Sequence, residues 1–147
     1  MRSWKATDGK IILNNTCQAD IGVVVNYFTK NQNASERLIL VDTTKLSLRL
    51  ALLSDYVSEV LLVDGSEKPN NEMMIACKDV GARYLHFGKE LSYSEAYNKG
   101  WWEVHTPFIA LMANDIIPHP TDVFRKLREA MDDTTYYWLC LPIFCLK

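Results

Sequence analysis

Cysteine is scarce and unpatterned in this sequence: Cys17, Cys77, Cys140 and Cys145 form no C-x-x-C pair. They fall in apolar or helical stretches, which favours packing thiols over a zinc site or a disulfide frame. Basic charge is not in excess. The formal net charge is -2 with Lys and Arg scattered singly, so the footprint that holds a polyanionic duplex is missing and nucleic acid is not expected as a partner. No apolar run has the length of a membrane span. The opening Met1-Arg2-Ser3-Trp4-Lys5 leads into Asp8-Gly9-Lys10 rather than an apolar signal-type stretch, which predicts a soluble, cytoplasmic chain, free or held at a membrane surface. Glycine is sparse too, and no Gly-rich phosphate loop follows the first strand, which counts against a flavodoxin-like binder.

What is present is globular composition, 48% hydrophobic and 23% charged residues over 147 positions. A domain of this size buries roughly 70% of the surface its unfolded chain exposes, enough for one core. Residues 1–20, with the short apolar run Ile11-Ile12-Leu13, read as an N-terminal arm or edge strand, and residues 21–147 as one α/β domain.

Residues 21–28 (IGVVVNYF) are dense in β-branched side chains and read as a strand. Residues 37–41 are ambiguous. A helix is predicted from Thr43 or Thr44 to about Tyr56, then a strand over 59–63. A helix from about Pro69 stops at Gly81, and a strand follows over 83–87. Ser92 or Ser94 caps the next helix, which runs to Val104 before a strand over 108–112. The pattern closes with a helix over 121–131, with Val123 and Leu127 inward and Phe124 a further candidate for that face, and a strand from Tyr136 through Leu141. This alternation predicts a mostly parallel sheet flanked by helices, joined by right-handed crossovers.

Two acids stand directly after apolar runs: Asp64 after EVLLV at 59–63, and Asp115 after FIALMAN at 108–114. The carboxyl ends of parallel strands open onto the crevice where α/β sheets bind ligands. Both carboxylates are therefore expected on one rim, where they suit hydroxyl groups and a divalent cation.

Four blocks in order, VVVNYF at 23–28, EVLLVDGS at 59–66, SEAYNKG at 94–100 and PFIALMANDIIPHP at 107–120, resemble the family 2 glycosyltransferases. The resemblance implies the A-type glycosyltransferase fold, a Rossmann-like nucleotide-diphospho-sugar transferase architecture, ending before its acceptor half. It implies that Asn26 and Tyr27 meet the nucleobase, Tyr27 by stacking; the alternative is a packed ring that solvates its hydroxyl. Asp64 stands where the family binds base or ribose, or else is a turn acid ahead of Gly65-Ser66. Asn98 lies beside the donor or serves helix packing, with Ala96 and Gly100 permitting close approach to ligand or sheet.

In the last block the family carries acid, spacer, acid. Here those positions are Ala113, Asn114 and Asp115, so only the metal-coordinating acid, Asp115, is present, with Asn114 on the nucleotide side. The resemblance implies Mn²⁺ or Mg²⁺ as cofactor, which one carboxylate, phosphate oxygens and water can hold. It implies a nucleotide-diphosphate sugar donor and a glycan, lipid or protein acceptor. No residue has the context of the catalytic base, so a homo-oligomer or partner chain supplying the acceptor site is one expectation. A catalytically inactive nucleotide-sugar-binding or assembly module is the alternative.

Overall fold

The computed structural model describes residues 6–7, 10–11, 19–30, 33–119 and 123–132. β1 (Ala6–Thr7) pairs antiparallel with β2 (Lys10–Ile11) as a small sheet of its own, so Ile11 does not extend the main sheet. The main sheet holds β3 (Ile21–Tyr27), β4 (Val57–Asp64), β5 (Arg83–His86) and β6 (Phe108–Ala113) in the order β5-β4-β3-β6, every pairing parallel. α1 (Ala34–Leu52), α2 (Asn71–Val80), α3 (Tyr93–Glu103) and α4 (Val123–Asp132) alternate with these strands. Cys17, Cys140, Cys145 and the strand predicted from Tyr136 lie outside the described residues. Among the described residues no helix is long and apolar enough to cross a membrane.

β3 is buried at every position, which is why its sequence is a continuous apolar run rather than an alternating one. Val23, Val25 and Tyr27, with Val60 and Leu62, pack against Leu48 of α1, Met73 of α2 and Phe124 of α4. Val24, Leu61 and Val63 pack on the opposite face, against Ala96 of α3. At Gly100 a Cβ would stand 2.3 Å from Val24 Cγ1 and 3.0 Å from Val63 Cγ2, so the absent side chain lets α3 lie directly on the sheet. With those inward places taken by Ala96 and Gly100, Trp101 and Trp102 are both exposed.

α1 begins ten residues before the expected start. Asn33 caps it in a reciprocal box with Glu36, an Asn-x-x-Glu signal of the capping-box type. The apolar pattern conceals this helix because polar residues point inward and apolar ones outward. Thr44 and Ser47 are fully buried, bonded to the carbonyls of Leu40 and Ile116, whereas Leu38 and Ile39 are exposed. α2 ends as expected at Gly81, whose φ of 84° is the left-handed conformation that glycine adopts without strain. Arg128 Nε donates to Asp20 Oδ2 at 2.7 Å, and the guanidinium lies 4.6 Å from the Phe108 ring, tying α4 to the amino ends of β3 and β6.

Candidate functional site at the carboxyl edge of the sheet

The chain leaves β3 through α1 on one face and reaches β6 through α3 on the other. The strand order thus reverses between β3 and β6, and open α/β sheets bind ligands outside the strand ends at such a switch point. Register places Tyr27 opposite Asp64 and Asn26 opposite Ala113, so the ends of β4 and β6 do share one edge.

Their acids occupy that edge differently. Asp64 follows Val60 and Leu62 in the strand alternation, which turns it toward α2. It is 0% exposed. Its Oδ1 accepts from Ser66 N at 3.0 Å, and its Oδ2 accepts from Asn70 N at 3.0 Å and from Tyr84 Oη at 2.5 Å. Of its two readings from sequence, the turn acid is the one this placement fits; a carboxylate so enclosed has no face toward a nucleoside.

Tyr27 is likewise sealed. Its ring is 0% exposed among the α1/α2 core, leaving no face for a base to stack on, and its hydroxyl accepts from Asn70 Nδ2 at 3.1 Å. Burial holds the Tyr27 hydroxyl above its ordinary pKa, helped by the negative charges of Asp64 and Glu72 and opposed by Arg37. The Asn70 side chain also accepts from Met73 N as the cap of α2. One network therefore joins the ends of β3, β4 and β5 to the start of α2.

Above this network lies a cleft of about 530 Å³, within the range typical of small-molecule sites. Phe28, Thr29 and Lys30 after β3, Arg37 of α1, residues 66–72 after β4 and Glu90 after β5 line it. Ser66 Oγ bonds Thr29 N at 2.9 Å and Thr29 Oγ1 at 3.0 Å, and Lys30 Nζ pairs with Glu90 at 3.0 Å. Thr29, Arg37, Lys68 and Asn70 were not singled out from sequence. The Asn33–Glu36 box was the available signal, since a helix begun there puts Arg37 in its first turns, beside the strand ends.

On the β6 side, Asp115 is exposed in the turn after the strand. Its charge reaches Tyr97 of α3, whose pKa is raised by burial first, then by the Tyr93 hydroxyl and by Asp115. Tyr93 and Tyr97 meet edge to face, with hydroxyls 3.0 Å apart. Asn26, on this face of β3, is 5% exposed and its Oδ1 has no hydrogen-bond partner. Asn114 turns the other way, donating through Nδ2 to Thr44 Oγ1 at 3.3 Å. Asn98 is exposed on α3. Among the described residues no three His, Cys, Asp or Glu side chains gather into a metal cage. Asp115 alone does not build a site for a resident ion. It fits one position of a hydrated ion carried in on a diphosphate, because magnesium-type ions keep several waters and take one or two carboxylates.

No family model matches the sequence, and no curated protein matches it. Among solved structures, CMP:2-keto-3-deoxy-manno-octonic acid synthetase complexed with CTP matches with a TM-score of 0.58 at 14% identity, over 78% of this chain and 48% of that one. Glucosyl-3-phosphoglycerate synthase from Mycobacterium tuberculosis matches in two complexes, one with phosphoglyceric acid and one with Mn²⁺, UDP and glucosyl-3-phosphoglycerate. Their TM-scores are 0.47 and 0.48, at 20% identity over 69% of this chain and 36% of that chain. The chain thus spans about half the length of the synthetase. At this identity the likeness is one of fold, and it agrees with the all-parallel sheet between helices: the chain has the nucleotide-diphospho-sugar transferase fold.

Proposed function

We propose that this chain is the donor-binding part of a family 2-like glycosyltransferase. It holds a nucleotide-diphosphate sugar across the carboxyl edge of the sheet, for transfer to the hydroxyl of a glycan, lipid or protein acceptor. The observation that carries the reading is that one edge of the sheet holds both a cleft of about 530 Å³ over the ends of β3 and β4 and, after β6 on the other side of β3, an exposed carboxylate. The fold shared with a CTP-bound synthetase supports it.

The nucleoside enters the cleft beside Thr29 and Ser66, and the diphosphate crosses the end of β3 toward Asp115. Asn26 supplies an acceptor with no protein donor. Asp115 supplies one carboxylate oxygen to Mn²⁺ or Mg²⁺; when bound, such an ion neutralises the charge that builds on the departing diphosphate. The Tyr97 hydroxyl is protonated at neutral pH, and burial raises its pKa further, so it is available as a donor beside that charge. The base that takes the acceptor proton is assigned to no residue here, and a second copy or partner chain is one source for it.

A second reading, a nucleotide-sugar-binding module without turnover, is favoured by Ala113 standing where the resemblance expects an acid and by Asn114 facing Thr44 rather than the crevice. Calorimetric titration with UDP-, GDP- and dTDP-sugars, with Mn²⁺ and with EDTA, tests both. Metal-dependent binding with donor hydrolysis supports the transferase. Binding without hydrolysis supports the module, and absence of nucleotide binding refutes both.

A further inference from the structure

The cleft between the ends of β3 and β4 carries charge that the fold does not use. Six charged side chains line it: Lys30, Arg37, Lys68, Glu67, Glu72 and Glu90. Lys30 and Glu90 neutralise each other. Glu72 stands in the first turn of α2, where the helix dipole accommodates an acid. Arg37 stands close to the amino end of α1, where the same dipole disfavours a cation. Neither Arg37 nor Lys68 has a carboxylate within salt-bridge distance among the described residues. Arg37 therefore sits against its local electrostatics, without an ion-pair partner among the described residues, in the wall of a cavity. Its charge also reaches the Tyr27 hydroxyl at the level of the network beneath that cavity. A planar guanidinium and an ammonium lining one cleft are groups that take a phosphate through charge-assisted hydrogen bonds, and the Thr29 and Ser66 hydroxyls line the same cleft.

We propose that Arg37 and Lys68 form a metal-independent phosphate subsite in this cleft, distinct from the metal position at Asp115. The inference rests on the proposed donor-binding role of this edge and adds to it a second anion contact that needs no divalent ion. The phosphate belongs either to the donor nucleotide or to a phosphorylated acceptor; the chemistry recognised is the same, a phosphate monoester or diester flanked by hydroxyls. The mixed lining suits such a ligand, with carboxylates to accept from hydroxyls while the cations hold the anion.

The test is calorimetry in EDTA with inorganic phosphate, glycerol 3-phosphate and UDP as probes, on the whole chain and on Arg37→Gln, Lys68→Gln and Asp115→Ala. The side chains of all three residues are exposed, so the variants keep the fold. Binding of the phosphate probes without metal, weakened about tenfold by Arg37→Gln or Lys68→Gln and unchanged by Asp115→Ala, is the expected result. A repeat in saturating UDP and Mn²⁺ assigns the source. Competition means the donor's own phosphate, and simultaneous binding means a phosphorylated acceptor. Failure of the wild-type chain to bind any phosphate probe in EDTA overturns the subsite, as does binding undiminished when Arg37→Gln and Lys68→Gln are combined in one chain. Loss of UDP binding in Asp115→Ala with no effect of Arg37→Gln leaves the donor role standing and removes the subsite. Phosphate binding without UDP binding under any condition does the reverse.

Discussion

Tyr84 of β5 donates its hydroxyl to Asp64 of β4 at 2.5 Å, across two adjacent parallel strands and under the cleft. Burial, and then this bond, holds the Tyr84 hydroxyl above its ordinary pKa. The pair anchors a turn whose other donors are Ser66 N and Asn70 N, and through the Asn70 side chain it reaches Tyr27 on β3.

Asp64→Ala is expected to act on stability first. It leaves Ser66 N and the Tyr84 hydroxyl without their acceptor, while Asn70 N keeps its bond to Tyr84 Oη at 3.0 Å; each lost acceptor costs about 1–3 kcal/mol, so a fall of about 3 kcal/mol in unfolding free energy follows, read as a lower urea midpoint. A double-mutant cycle with Tyr84→Phe should show coupling between the two side chains. A stable Asp64→Ala protein that had lost only nucleoside affinity would return Asp64 to the ligand role.

Asp115→Ala is expected to do the opposite. Its side chain is exposed and outside any such network, so stability should stay within about 0.5 kcal/mol. Titration of UDP against Mn²⁺ should lose its metal dependence. Retained metal dependence would place the ion elsewhere.

Gly100→Ala tests the packing of α3. Alanine is a better helix former by about 1 kcal/mol, but its methyl would enter the Val24 side chain at 2.3 Å. Overpacking of this kind costs about 1–3 kcal/mol, so the net expectation is a lower Tm, with α3 displaced and the Tyr97–Asp115 relationship loosened. An unchanged or higher Tm would mean that α3 can lift at no cost.

Alkaline pH should unfold the protein progressively. Burial, with Asp64 adding to it, pushes the Cys77 thiol from 9.0 up to about 12, and Tyr27, Tyr84 and Tyr97 are raised above 10.0 by burial first. These groups bind their protons more tightly folded than unfolded. Their contribution is complete below about pH 9 and is lost as pH rises toward 12 for the thiol, by up to about 1.4 kcal/mol per pH unit for each group titrating. Urea midpoints at pH 8, 9 and 10 check the sign, and a midpoint that rose with pH would contradict it.

The topology was legible because parallel strands buried on both faces must be continuous apolar runs, and because Ser92 with Glu95 and Gly81 punctuate helices in the usual way. The first half of α1 was not, since Thr44 and Ser47 occupy inward positions that hydrophobic periodicity assigns to apolar residues. The rim itself could be placed from sequence, as Asp64 ends β4 and Asp115 follows the end of β6 by two residues. Their orientation could not, because a one-residue change of strand parity decides whether a terminal acid meets solvent or core. The cleft was equally hidden: it draws on four separate segments that only the sheet order brings together.

β6 is partly exposed along most of its length, with Leu111 43% exposed, and borders the sheet among the described strands. Its sequence, FIALMA, holds none of the charges or prolines by which solvent-facing borders usually discourage further pairing. A strand so undefended invites lengthening of the ladder by whichever polypeptide lies next to it. The same border carries Asp115 two residues beyond its end, so any chain recruited there would arrive beside the metal-binding carboxylate proposed above.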